Sequence, residues 1–213
     1  MKKIILLLII ISLFTCGFMY VNAMSNKLIG KVIVIDVGHG GVDSGTVYKN
    51  IKEKDINLSI GMELRDELIK NGVEVIMTRE GDYDLSSPGA MRRKKSDFDN
   101  RIKLINESNA DMYISIHINY LDNGNYYGSQ VFYTNGNEDL ANIIQNKMIE
   151  RLGSPMKERL LENDIYMYKK LDIPGILIEC GFMSNSSERM KLVSDKYQAK
   201  LVDSIVDGLM EYF

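Results

Sequence analysis

The stretch KVIVIDVGHGGVDSGT, residues 31–46, decides the fold. Its first half is a run of β-branched apolar residues that glycine ends at position 38, the pattern of a buried strand. Its second half, from His39, is polar and rich in glycine. A buried strand running into such a loop suits an open α/β sheet, which binds ligands beyond the carboxyl ends of its strands.

Working outward, the same kind of run recurs at VEVIMT (73–78), MYISIH (112–117), SQVFYT (129–134) and GILIEC (175–180), the last led in by Pro174. Helical spacing separates these runs. Ile56, Ile60, Leu64 and Leu68 recur every fourth residue from a start near Asp55, and Asn71-Gly72 ends them. Phe98, Ile102 and Ile105 mark a short helix. Leu140, Ile143, Ile144 and Met148 make one apolar face, and Val202, Ile205, Val206 and Leu209 another. Asn185 is placed to cap a helix with Glu188 as its partner at the third position. Residues 80–97 lack periodicity and read as a long loop, the kind that often carries function. Residues 164–169, DIYMYK, read as either a strand or an extended connection. Strands alternating with helices predict one α/β domain, with a mixed, mostly parallel twisted sheet flanked by helices.

The 213-residue length and a charged fraction of 26% suit one globular domain. Lys2 and Lys3 precede the apolar run from Ile4 to Phe14, and Val21-Asn22-Ala23 offers a cleavage site. This is the layout of a secretory signal peptide over residues 1–23, with an uncleaved anchor as the other reading. Either one exports the domain of residues 24–213, and any membrane contact runs through this segment alone. The formal charge of −3 argues against non-specific nucleic-acid binding. Arg92-Arg93-Lys94-Lys95 forms a local basic run, read as a solvated loop. Of the two cysteines, cleavage of the signal removes Cys16 and leaves Cys180 alone, and no disulfide framework is then expected.

The chain has only two histidines, and each closes a buried run: His39 after the first strand, His117 at the end of the third. With a carboxylate they make a donor set for zinc, which holds three protein ligands in catalytic sites and leaves one position for water. A second carboxylate, off the metal, is needed to move protons. Glu53, Glu179, Asp36, Asp43 and Asp55 are all candidates, and spacing alone does not rank them. The HExxH pattern is missing, as are the G-x-S-x-G elbow and the glycine spacings of nucleotide loops. Cys180, just past a buried strand, reads as an inert core thiol.

At these residues the chain resembles the type 3 family of zinc-dependent N-acetylmuramoyl-L-alanine amidases. Four ordered blocks carry the likeness: VIVIDVGHGGVDSG, KEKDINL, NADMYISIHIN and PGILIECGFMSNSSE. The resemblance implies a zinc-hydrolase fold and one Zn2+ on His39, Glu53 and His117, with Glu179 as the catalytic acid–base. It implies peptidoglycan as substrate, cut at the amide between the lactyl group of N-acetylmuramic acid and L-alanine. Arg79, Arg101 and Asn119 are candidates either to touch substrate or to brace loops. Val37 stands where the family usually has proline, and Tyr120 where a small residue is common. LSSPGAMRRKKSDFDNR (85–101) replaces a shorter family stretch. That segment, the signal sequence and the lack of a wall-binding module resemble the spore-cortex branch of the family, whose members act in forming muramic-δ-lactam. The expected location is extracytoplasmic, at the cell wall or the membrane, or for that branch in the space between the forespore membranes. An accessory or activating protein is a further expectation, since some family members have one. Other readings of the residues are a wall-binding protein without turnover and a zinc peptidase acting on free wall peptides.

Overall fold

The computed structural model describes residues 11, 12, 15, 26–134, 136–161 and 165–213. The predicted signal segment thus lies outside the described residues, save for three positions. The first strand, β1 (Val32–Val37), is followed by the two-residue strands β2 (Val47–Tyr48) and β3 (Ile51–Lys52), which pair as a hairpin that the sequence had not announced. Helix α1 (Glu53–Lys70), strand β4 (Glu74–Met77) and helix α2 (Arg93–Asn106) come next. Strands β5 (Met112–Asn119) and β6 (Gln130–Tyr133) lead to helix α3 (Glu138–Leu152). The chain ends with β7 (Arg159–Leu160), β8 (Gly175–Phe182), α4 (Ser186–Leu192) and α5 (Asp195–Tyr212).

The main sheet has the order β4-β1-β5-β8-β6-β7. β1 runs parallel to β4 and β5, and β5 parallel to β8; β6 is antiparallel to β8. The mixed, mostly parallel α/β sheet expected from the sequence is therefore present. Side-chain alternation sorts its two faces. Ile33, Ile35 and Val37 of β1 join Ile114, Ile116, Ile176 and Ile178 in a core covered by Ile60 and Leu64 of α1, Ile144 of α3 and Ile205 of α5. Val34, Tyr113 and Leu177 face the other way, against Ile105 of α2 and Met167 and Tyr168. Asp36, Ser115, His117 and Glu179 fall on this second phase, which places their side chains together at one end of the sheet.

Local differences from the expectation have local causes. α1 begins at Glu53 rather than near Asp55, because loop carbonyls cap it: Glu53 N donates to Thr46 O at 2.9 Å and Lys54 N to Ser44 O at 3.2 Å. α2 begins at Arg93, so most of the basic run is its first turn and not a loop. Of residues 164–169, position 164 lies outside the described residues, and 165–169 form no strand: a turn leads into a 3-10 helix, Tyr168–Lys170. Asn185 caps α4 as expected, accepting from Ser187 N at 2.9 Å and Glu188 N at 3.1 Å. Glu188 does not reach back to Asn185; its carboxylate accepts from Gly128 N at 2.8 Å and holds the loop before β6.

Candidate metal centre

β1 delivers His39 in a left-handed conformation, φ 61°, seldom adopted outside glycine. The loop then folds back on itself through paired backbone bonds between Gly40 and Asp43, at 2.9 and 3.0 Å. This turn brings Asp43 Oδ2 to 3.0 Å from His39 Nδ1. The other ring nitrogen, Nε2, lies 3.1 Å from Glu53 Oε1 at the head of α1. β5 brings His117 Nδ1 to 3.2 Å from the same oxygen. His39, Glu53 and His117 each offer one donor atom within 4.8 Å of the others.

Glu53 is held rigidly. Its Oε2 accepts from Thr46 N at 2.8 Å and its Oε1 from Ile118 N at 3.1 Å. Two glycines make room for the cluster. A Cβ on Gly38 would stand 2.3 Å from the His117 ring, and one on Gly45 (φ 61°) 2.6 Å from Glu53 Oε2. Glu179 sits opposite His117 in the β5–β8 register. One of its oxygens is enclosed and has no hydrogen-bond partner in the protein.

The electrostatics follow from this crowding. Burial raises the Glu179 carboxyl to about 8, reinforced by the Glu53 charge and opposed by His39. Burial works against a proton on His39, yet its bonds to Asp43 and Glu53 outweigh it and raise the pKa to about 9. Burial alone would raise the Glu53 carboxyl, but the two histidines hold it far below the carboxylate range.

The donor set can be tested against an ion. Ligand atoms about 2.05 Å from a tetrahedral cation stand roughly 3.3 Å apart. The observed separations from Glu53 Oε1 are 3.1 and 3.2 Å. With the third separation within 4.8 Å, two imidazoles and a carboxylate so placed could hold one divalent ion, and Glu179 shares the lining of the same opening. Asp43 extends the set outward, since a ligating histidine commonly passes its second N–H to a carboxylate.

Of the two roles open to them, the arginines make the contacts of the second, bracing loops. Arg79 and Arg101 are each 1% exposed. Arg79 donates to the carbonyls of Val37, Gly38, Lys54 and Gly81. Arg101 donates to Asp36 at 2.7 Å, to Asp97 at 3.0 Å and to the carbonyls of Val37 and His39 at 2.7 Å. Both brace the loop that carries His39. Asn119 differs: it is half-buried and lines the opening above the cluster. Asp97 carries no mark in the sequence, and Asp43 is one acid among five there. The available signal was Asp43's position four residues after His39 in a glycine-rich turn.

With this geometry in view, the family model for N-acetylmuramoyl-L-alanine amidase matches residues 33–211. The germination-specific N-acetylmuramoyl-L-alanine amidase of Bacillus subtilis strain 168 is 41% identical over 215 residues, covering 96% of this chain and 91% of that protein. The CwlD amidase from Clostridioides difficile, solved in complex with the GerS lipoprotein, superposes with a TM-score of 0.81 at 37% identity, covering 86% of this chain and 98% of that one. The N-acetylmuramoyl-L-alanine amidase from Clostridium difficile 630 superposes with a TM-score of 0.75 at 34% identity, covering 85% and 96%. A relative of this identity, matched over nearly the whole of both chains, together with the family match, makes this chain a member of the type 3 N-acetylmuramoyl-L-alanine amidase family.

Proposed function

We propose that this chain hydrolyses the amide between the lactyl group of N-acetylmuramic acid and L-alanine in peptidoglycan, using one zinc ion held by His39, Glu53 and His117. The observation that carries the reading is the enclosed, unpartnered Glu179 oxygen beside the His-Glu-His cluster. Zinc, when bound, polarises a carbonyl and acidifies a water molecule. Glu179 takes the proton of the attacking water and returns it to the departing amine of L-alanine. A carboxyl with a raised pKa suits a group that must both accept and release a proton. Asp43 keeps His39 oriented through Nδ1, and Arg101 and Arg79 hold the loop beneath it.

The likeness to a germination-specific amidase supports a role in spore-cortex maturation, in the first step of muramic-δ-lactam formation. The relative solved with a lipoprotein supports an accessory protein for this chain as well. Lys2, Lys3 and the apolar run after them support export, with action outside the cytoplasm.

The test is to digest purified cell-wall fragments with the zinc-loaded protein and to identify the new ends by mass. Free L-alanine amino termini with intact muramic acid are the expected products. New termini inside the stem peptide would replace this reading with a peptidase.

A further inference from the structure

Two cavities meet at Glu179, and they differ in kind. One, of about 240 Å³, is walled by Phe98, Ile165, Met167, Tyr168 and Leu177. Its polar neighbours are already committed: Arg101 to Asp36 and Asp97, and the Tyr168 hydroxyl to Ser115, 3.0 Å away, which itself donates to Asp36. The other, of about 420 Å³, is open and polar, lined by Asp43, Thr46, Lys94 and Asn119. His39, His117 and Glu179 line both, so a bond held at Glu179 has one arm toward each.

The two arms of the proposed substrate also differ. The muramyl side carries two methyl groups, on the lactyl and N-acetyl substituents of adjacent ring carbons. The peptide side carries a carboxylate, the α-carboxylate of the glutamate that follows L-alanine. A carboxylate set deep among Met167, Tyr168 and Leu177 would lose its water and meet an Arg101 whose nitrogens are already spent on Asp36, Asp97 and backbone carbonyls, while the Lys94 ammonium stands at the Phe98 edge, 5.8 Å from that ring centre. On the polar side Lys94 is, among the described residues, the one lysine or arginine lining the cavity. Its side chain is 66% exposed, and its ion pair with Asp43 is long, 3.8 Å.

Resting on the amidase reading, we propose that this contrast orients the substrate: the muramyl methyls enter the apolar cavity, and Lys94 binds the α-carboxylate of the stem-peptide glutamate across the polar one. Lys94 thereby becomes a specificity residue, and part of the basic run acquires a task.

The test uses the zinc-loaded full chain and soluble muramyl tripeptides that differ only at that α-carboxylate, free or amidated. The wild type is expected to show a KM about three- to fivefold lower for the free acid, the scale of an exposed ion pair. Lys94→Gln should bring the ratio of the two KM values close to one. A wild-type ratio of one, or a ratio untouched by Lys94→Gln, overturns the assignment of Lys94. A third substrate, bearing a free amine in place of the N-acetyl group, probes the other arm. Its kcat/KM should fall at least about tenfold, because an ammonium group would have to enter the apolar cavity. Equal kcat/KM overturns the assignment of that cavity. If no substrate yields L-alanine amino termini, the amidase reading itself fails; a wild type that turns the substrates over without discriminating among them removes only the orientation.

Discussion

The His39–Glu53–His117 cluster and the Asp36–Arg101–Asp97 cluster adjoin where β1 runs into the His39 loop, linked by the bond from Arg101 to the His39 carbonyl, and both contain deeply buried charge. The second is closed: every guanidinium nitrogen of Arg101 meets a protein oxygen, and Asp36 also accepts from Ser115 at 2.7 Å. In the first, two rings share a single carboxylate oxygen, and the adjoining Glu179 oxygen has no partner. A satisfied buried network has nothing left to offer a ligand. The first has three donor atoms crowded within 4.8 Å of one another. Buried charge alone thus does not mark a site; an unpartnered buried oxygen next to crowded donors does.

Substitutions separate the two clusters. The largest effect belongs to Glu179→Gln, which removes the base while leaving the cluster intact. We expect kcat to fall by about 10²–10⁴ with zinc content unchanged, measured by turnover and metal analysis together. His117→Ala should lose both. Zinc lost from Glu179→Gln would make Glu179 a ligand and erase the distinction between cluster and base.

Arg101→Met tests the closed cluster. It leaves Asp36 and Asp97 buried with one partner gone, a loss of about 3–5 kcal/mol in stability. Denaturant unfolding of the metal-free protein reads it. Pairing it with Asp36→Asn should recover part of the loss, since one of the stranded charges is removed. A variant that unfolds like the wild type would show the network to be dispensable.

Asp43→Asn works at the boundary of the open cluster. It keeps the size of the side chain and removes the charge facing His39. Zinc affinity should weaken about 10- to 100-fold, read by competition with a chelator. An unchanged affinity would confine Asp43 to shaping the loop.

The smallest effect is graded with pH. His39 in the metal-free protein keeps its proton up to about pH 9. Metal must displace that proton, so apparent zinc affinity should climb roughly tenfold per pH unit toward pH 9 and then level off. The sign is opposite for the metal-free fold. The contribution from His39 is fully present below its unfolded value near 6.5 and is lost as the pH rises through about 9. Zinc titrations and thermal melts of the metal-free protein at several pH values check the two directions. Affinity independent of pH would mean that His39 gives up no proton.

Much of this architecture was legible because it is periodic. Runs of β-branched residues announced β1, β5 and β8; four-residue spacing announced α1, and an apolar face at steps of three and four announced α5. The elements that were missed are short or capped at a distance. The β2–β3 hairpin has only two residues on each side, too few for any period to appear. The start of α1 depends on carbonyls seven and ten residues back in the chain, those of Thr46 and Ser44. The start of α2 lay hidden in a charged first turn with few apolar residues to set a rhythm.

The sequence by itself determined that His39 and His117 close buried strands, that the two faces of the sheet alternate, and that an exported α/β domain was to be expected. Residue spacing left five acids as candidate partners for the histidines, and only the likeness of four blocks to a family ranked them. The tertiary structure decided what each polar group does. It set Glu53 between the two rings, turned Asp43 onto the far side of His39, left Glu179 beside them and committed Arg79 and Arg101 to loop carbonyls. The reason is physical: strand and helix periodicity are local properties of the chain, whereas this convergence depends on the parallel register of β1, β5 and β8 and on a left-handed turn at His39. Contacts among residues as far apart as 39, 53, 117 and 179 form only when the whole sheet has closed.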